Sequence, residues 1–274
     1  MKGLLSAGKS ITPEALFSDT SYMNAPTEMT MKMHMIGSMF GVSDQLTVMA
    51  MIPYLSNSMR SQAKMGGAIS SMESEGLGDV SATAMWSLSA LPECRSHLSL
   101  GVSLPTGKID VKKGSMILGY PMQLGSGSYE LRPGYTITCF SPNYSYGAQV
   151  SSKLRFADND QGYRLGNEVG VKAWGAYQVM PSLSVSSTVS WMFQEAISGT
   201  HKGIMNAAMS PAMDTQNSGG SRVLASLGAN YVMMDGLLSG YRLAFECLVP
   251  VQSSLTGVQM SQSSTVVLGV QKAY

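Results

Sequence analysis

"EMTMKMHMIGSM", residues 28–39, sets a methionine at every second position through Met29, Met31, Met33 and Met35, with Glu28, Lys32 and His34 in the gaps. A period of two is the mark of a β-strand, whose successive side chains point to opposite faces. The same period recurs along the chain. In "VSATAMWSLSAL" (80–91), Val80, Ala82, Ala84, Trp86 and Leu88 alternate with Ser81, Thr83, Met85, Ser87 and Ser89. In "LSLGVSL" (98–104) the leucines and Val102 alternate with Ser99, Gly101 and Ser103, and in "YRLAFECLV" (241–249) Tyr241, Leu243, Phe245, Cys247 and Val249 oppose Arg242 and Glu246. No stretch carries a convincing helical period, so the chain reads as all-β.

Strand-like runs fall near 27–39, 45–55, 77–91, 95–105, 130–140, 144–156, 163–178, 182–196, 221–233, 238–250 and 263–274. Their connections alternate in length. "FGVSD" (40–44), "PEC" (92–94), "SPN" (141–143), "MPS" (179–181) and "MDGL" (234–237) are short. The others, about 56–76, 106–129, 157–162, 197–220 and 251–262, are longer and rich in turn-forming residues. A soluble sandwich gives no reason for long loops at one end and tight turns at the other, whereas a transmembrane β-barrel has that asymmetry. The polar face agrees. It is mostly Ser, Thr, Gly and Gln, and charged residues make up only 13% of the chain, where a soluble outer face would be densely charged. We therefore expect a single antiparallel transmembrane β-barrel, with residues 1–26 as an outer loop and 27–274 as barrel strands.

The net charge of +1 gives no electrostatic case for nucleic acid. Cys94, Cys139 and Cys247 are widely spaced and lack metal-ligand spacing. Their odd number speaks against a disulfide framework, so all three are expected as isolated small apolar side chains. No apolar run approaches the ~18 residues of a membrane helix, and the opening "MKGLLSAGKS" is too short in its apolar part for a signal peptide. Eleven strands would leave two unpaired edges in lipid, where unsatisfied backbone groups are costly, and bacterial barrels have even strand numbers. The expectation is a twelve-stranded barrel with a first strand and an export signal encoded upstream of Met1.

Several stretches carry a family resemblance: "APTEMTMKMHMIGSMFGVSDQLTVMAMIPYLSNSM" (25–59), "SEGLGDV" (74–80), "LSLGVSLPTGKID" (98–110), "YPMQLGSGSYELRPG" (120–134) and the terminal Tyr274. In these the chain resembles bacterial outer-membrane proteins called transporters and grouped with the phenol-degradation meta-pathway barrels. The resemblance implies a barrel and an outer-membrane location in a Gram-negative cell, without naming a solute. With the location come outer-membrane lipid and the barrel-assembly machinery as partners, the latter through the C-terminal strand ending in Tyr274.

Face parity supplies the candidate site. A charge at the middle of the bilayer costs about 2–4 kcal/mol on a barrel's lipid face. On that ground Met29, Met31, Met33 and Met35 are assigned to lipid, and Glu28, Lys32 and His34 to the lumen. In the next strand Leu46, Val48, Ala50 and Ile52 go to lipid, which leaves Met49 and Met51 inward. The full expected lining is Lys32, His34, Met49, Met51, Arg132, Lys153, Arg155, Arg164, Glu168, Lys172, Arg242 and Glu246. Such a set either pairs across strands to fill the interior or lines a mildly anion-favouring pore. The expected role is passage of a small apolar or anionic solute. The alternative is a non-conducting binding or structural barrel concerned with copper, using Met49 and Met51 beside His34, since thioethers suit Cu(I). Neither reading calls for a cofactor. A hydrolase would need a Ser–His pair. His34, His97 and His201 stand among many serines without a GxSxG element, so no catalytic residues are assigned.

Overall fold

The computed structural model describes every residue except 7, 89, 90, 92, 273 and 274. It is dominated by one curled antiparallel sheet. We label its strands β1 (Asn24–Gly41), β2 (Leu46–Ala63), β3 (Ile69–Leu77), β4 (Ser81–Ser87), β5 (Cys94–Ser103), β6 (Glu130–Phe140), β7 (Tyr144–Arg155), β8 (Glu168–Met180), β9 (Leu183–Gln194), β10 (Gly220–Val232), β11 (Tyr241–Leu255) and β12 (Thr265–Lys272). Each pairs with its neighbours in chain order, with one exception. The 18-residue β2 is met by β3 along Tyr54–Gln62 and by β4 along Leu46–Met51. β3 and β4 therefore act as one stave, broken at 78–80, and the sheet has eleven staves, as the alternating runs of sequence predict. β1 and β12 are its two edges.

Most connections divide by end as expected. The segment 56–76, expected as a long connection, is instead strand on both sides of a five-residue turn at 64–68. The expected short link 92–94 begins outside the described residues. Links 42–45, 141–143 and 181–182 are tight, and 233–240 is a short turn. Segments 104–129, 156–167, 195–219 and 256–264 are long and gather at the opposite end. The alternating sequence also produces the two-faced sheet. Trp86, Leu98, Leu100, Val171, Trp191, Phe245 and Leu268 are among many large apolar side chains left exposed on its convex face. No second layer covers them in the described residues. A water-soluble sandwich would bury this face, whereas a barrel turns it to hydrocarbon.

The buried apolar residues lie elsewhere, among the long connections. Leu118 and Met122 pack on Met29 and Met59, while Leu4, Leu16 and Ala25 form an adjoining cluster. The first residues contribute more than a loop. Leu4–Ser6 pairs with both Lys9–Ile11 and Val258–Met260. A short helix, Pro13–Asp19, follows, started by the Thr12 side chain, which accepts a hydrogen bond from the Ala15 amide, with Pro13 in the first turn. Seven residues are too few to show a helical period.

Three further expectations are corrected. Cys94 and Cys139 are not isolated side chains. They are directly paired across β5 and β6 and joined in a disulfide, and Cys247 is the free cysteine. An odd count excludes complete pairing, but it does not exclude one bridge between adjacent strands. The run 77–91 is divided between β3 and β4. The run 163–178 starts later, at Glu168, because Tyr163–Arg164 pairs with Ser198–Gly199 instead of joining the large sheet. The expected aromatic end of the last strand, Tyr274, lies outside the described residues.

Candidate functional site

Cross-strand register fixes which side chains share the concave face. Glu130, Gly134 and Thr136 of β6 oppose Arg155, Ser151 and Gln149 of β7. Lys153 and Gln149 then oppose Glu168 and Lys172 of β8, and Gly228 opposes Glu246 across β10 and β11. Arg132, Lys153, Arg155, Glu168, Lys172, Arg242 and Glu246 thus fall on the inner face. So do Met49 and Met51, which oppose Thr83 and Ser81 of β4.

Lys32 and His34 do not. Met29, Met31, Met33, Met35 and Met39 oppose Met59, Asn57, Leu55, Pro53 and Met49, so the methionine stripe faces inward. Lys32 and His34 share the convex face with Ile36 and Phe40. Position along the strand explains the inversion. Lys32 lies ten residues from the turn at Val42, roughly 34 Å of strand and about 26 Å of height at a ~40° tilt. That is the full height of a barrel's apolar band, and a rim charge costs only about 0–1 kcal/mol. His34 is paired with Tyr54, an aromatic residue of the kind that marks the interface. Arg164 is likewise not on a barrel strand, because it belongs to the short pairing with Ser198.

The inner wall has two unlike halves. Around β1, β2 and β4 it carries Met29, Met31, Met33, Met35, Met49, Met51, Met59 and Met85. Around β6–β11 it is polar and charged. There Glu130, 3% exposed, receives Arg132 Nη2 at 2.7 Å and Arg155 Nε at 2.6 Å. Arg155 also reaches Glu168 Oε1 at 3.3 Å and donates to the Gly166 carbonyl, while Lys153 Nζ lies 2.8 Å from Glu168 Oε2. Three cations and two carboxylates from three adjacent strands form one network. Nearer the tight turns, Arg242 Nη2 donates to Asn230 Oδ1 at 2.7 Å, and Ser226 donates to Glu246.

Segment 106–129 folds inward onto this wall through a latch that the sequence did not reveal. The Asp79 carboxylate accepts the Gly107 amide at 2.9 Å, the Ser126 amide at 2.7 Å and the Ser126 hydroxyl at 2.7 Å. Thr106 Oγ1 donates to the Gly78 carbonyl at 2.7 Å and accepts the Val80 amide at 2.9 Å. A Cβ on Gly107 would stand 2.6 Å from the Leu124 carbonyl oxygen, and one on Gly125 would stand 2.5 Å from Asp79 Oδ1, so both positions need glycine. "GLGD", "LPTG" and "GSGS" are therefore three parts of one fastening. The only signal for it in the sequence is the glycines of these three stretches, standing beside strand ends.

Beyond the latch, the outer segments fasten to each other. The Tyr120 and Tyr163 rings meet edge to face at 5.0 Å. The His201 amide donates to Tyr120 Oη at 3.1 Å, and His201 Nε2 lies 3.0 Å from the Ile109 carbonyl. Tyr22 donates to Asp214 Oδ2 at 2.5 Å and accepts from Asn217 at 2.7 Å. Burial pushes the Tyr22 phenol up to about 12, with the Asp214 carboxylate adding to the effect. Burial also raises Tyr120 and Tyr163. Together these segments fill the outer end of the curl as a plug. Between plug and wall is a cavity of ≈ 400 Å³. Met29, Met31, Met59 and Met260 line one part of it and Gln194, Asp214 and Arg222 another. A wider cavity of ≈ 600 Å³, lined by Ser186, Thr188, Asn230, Arg242 and Glu246, lies toward the tight turns.

Comparison with known proteins adds the fold. No protein-family model matches the chain, and no curated protein matches it by sequence. Among solved structures it is similar to the COG4313 outer membrane channel from Pseudomonas putida F1, at 10% identity with a TM-score of 0.64. The likeness covers 98% of this chain and 88% of that one. The fold is therefore that of an antiparallel β-barrel, which agrees with the barrel expected from the alternation.

Proposed function

We propose that this chain is an outer-membrane channel for a small solute that is apolar or carries an anionic group. The observation that carries the reading is the inverted dressing of the sheet. Apolar side chains cover its convex face, while polar groups and two separate cavities lie inside the curl. The ≈ 400 Å³ cavity is within the range that takes a small molecule. It offers thioether and aliphatic surface to an apolar body and the Arg222 guanidinium to an anionic group. On this reading a solute enters beside the plug, pauses in the cavity and leaves through the wider polar space. Arg242 lines that space together with Glu246, and Lys172 adds a second cation on the inner face of the neighbouring strands. The partners are outer-membrane lipid and the barrel-assembly machinery that reads the C-terminal strand.

The test is conductance together with uptake. The purified barrel in planar bilayers should give small current steps. In liposomes it should admit an aromatic carboxylate faster than the matching amine, and Arg222→Gln should reduce that preference. Absence of steps in every salt, together with no uptake, would refute a channel. That result would favour a non-conducting binding barrel, a reading that the buried plug itself supports.

A further inference from the structure

Six methionines gather at one place on the border of plug and wall. Met29, Met59 and Met122 are buried together, and Met1, Met72 and Met260 pack against them. Three of them are set there by sheet register. Met29 of β1 opposes Met59 of β2, which opposes Met72 of β3, so the three side chains stand in a row across three adjacent strands on the inner face. The amide and carbonyl of Met29 are both used by Met1, on the side away from β2. Met29 and Met59 are therefore the close, non-hydrogen-bonded kind of pair, with Cα atoms about 4.5 Å apart. Met122 enters from segment 106–129, which the Asp79 latch holds in place.

We propose that Met29, Met59 and Met72, with Met122 closing from the plug, form a binding site for a soft monovalent metal ion, Cu(I) or Ag(I). A row along one strand could not do this, because same-face neighbours are about 6.6 Å apart. Met59 stands only about 4.5–5.5 Å from Met29 on one side and from Met72 on the other, and the three rotatable bonds of methionine let the two outer side chains lean over it so that the sulfurs converge on one point. The donor set is thioether alone. No group of three or more His, Cys, Asp or Glu side chains able to hold a metal occurs among the described residues. That selects against zinc, calcium and Cu(II), which prefer imidazole, thiolate or oxygen donors, and for Cu(I). Access is provided, since Met29 and Met59 both line the ≈ 400 Å³ cavity. The site is not the Met49, Met51 and His34 group suggested by sequence, because His34 points to the opposite face. The proposal does not depend on solute passage.

The experiment uses the full chain folded in detergent. Ag(I) is titrated calorimetrically, and Cu(I) is measured anaerobically against a chromophoric chelator. X-ray absorption of the loaded protein then reports the donor atoms. The expected result is one ion per chain in a sulfur-only shell. Met29→Leu and Met59→Leu, near-isosteric changes, should each weaken binding at least tenfold, with the heat-dependent gel shift showing that the barrel remains folded. Met205→Leu, at a fully exposed loop position, should leave binding unchanged. Equal affinity in wild type and the Met29→Leu/Met59→Leu double variant would overturn the proposal. So would a nitrogen or oxygen shell in the wild type, a measurement that needs no variant to fold.

Discussion

Replacing Glu130 by glutamine is expected to lower the stability of the folded barrel by about 3–5 kcal/mol, the usual loss when one partner of a buried ion pair is removed. Glu130 and Arg155 are 3% and 5% exposed, so neither can recover its hydration in place. Glutamine keeps the shape but withdraws the negative charge that faces both Arg132 and Arg155. It also turns an amide NH₂ toward at least one guanidinium. Arg155 would keep Glu168 at 3.3 Å and the Gly166 carbonyl, and Glu168 already serves Lys153. One carboxylate would then stand against three cations. Equilibrium urea unfolding in micelles, followed by tryptophan fluorescence, measures the loss. Adding Arg155→Met should recover part of it, because the stranded cation is then gone. A loss below about 1 kcal/mol, or a double variant no better than the single, would mean that the network is solvated and not a buried fastening.

Three further outcomes follow from the geometry. The denatured but unreduced protein should show one free thiol, Cys247. Reduction, or Cys94→Ser with Cys139→Ser, should cost about 2–4 kcal/mol for a bridge spanning 45 residues, and a thiol count of three would refute the bridge. Asp79→Ala removes three hydrogen bonds to a carboxylate and should cost about 3 kcal/mol. It should also open 106–129 to protease and raise conductance, and unchanged digestion and current would contradict the latch. Raised phenols stabilise the plug while neutral. That contribution is intact below about pH 10, where the unfolded phenol titrates, and is lost as pH rises toward the Tyr22 value of about 12. Absorbance at 295 nm and limited proteolysis should show the outer segments loosening across that interval, whereas uniform titration near 10 without loosening would refute it.

Much of the fold was legible because alternation and turn chemistry act locally. Leu98, Leu100 and Val102 read as one face from their immediate neighbours, and the register confirms it, setting them opposite Trp86, Ala84 and Ala82. The same logic failed at Lys32 and His34. Parity says which residues share a face, but choosing the face relied on charge, and charge is informative only near mid-bilayer. On an 18-residue strand the upper half reaches the rim, where lysine and histidine are tolerated outward and methionine can turn inward. The Cys94–Cys139 bridge and the Asp79 latch escaped for a different reason. Both depend on which strand ends meet in space, across separations of 45 and 47 residues, and no local pattern encodes that. The charged half of the wall was recovered because Arg132, Lys153 and Glu168 sit on strands whose alternating partners are plainly apolar.

The most direct test is where lipid touches the sheet. Nitroxide labels placed singly at Leu100, Val171 and Ala225 on the convex face, and at Thr136, Ser151 and Ser190 on the concave face, can be read in bilayers by collision with oxygen and with a water-soluble nickel chelate. The first three should collide mainly with oxygen and the second three mainly with nickel. Nickel access at the first three, or neither collider reaching them because another protein layer covers them, would contradict the barrel.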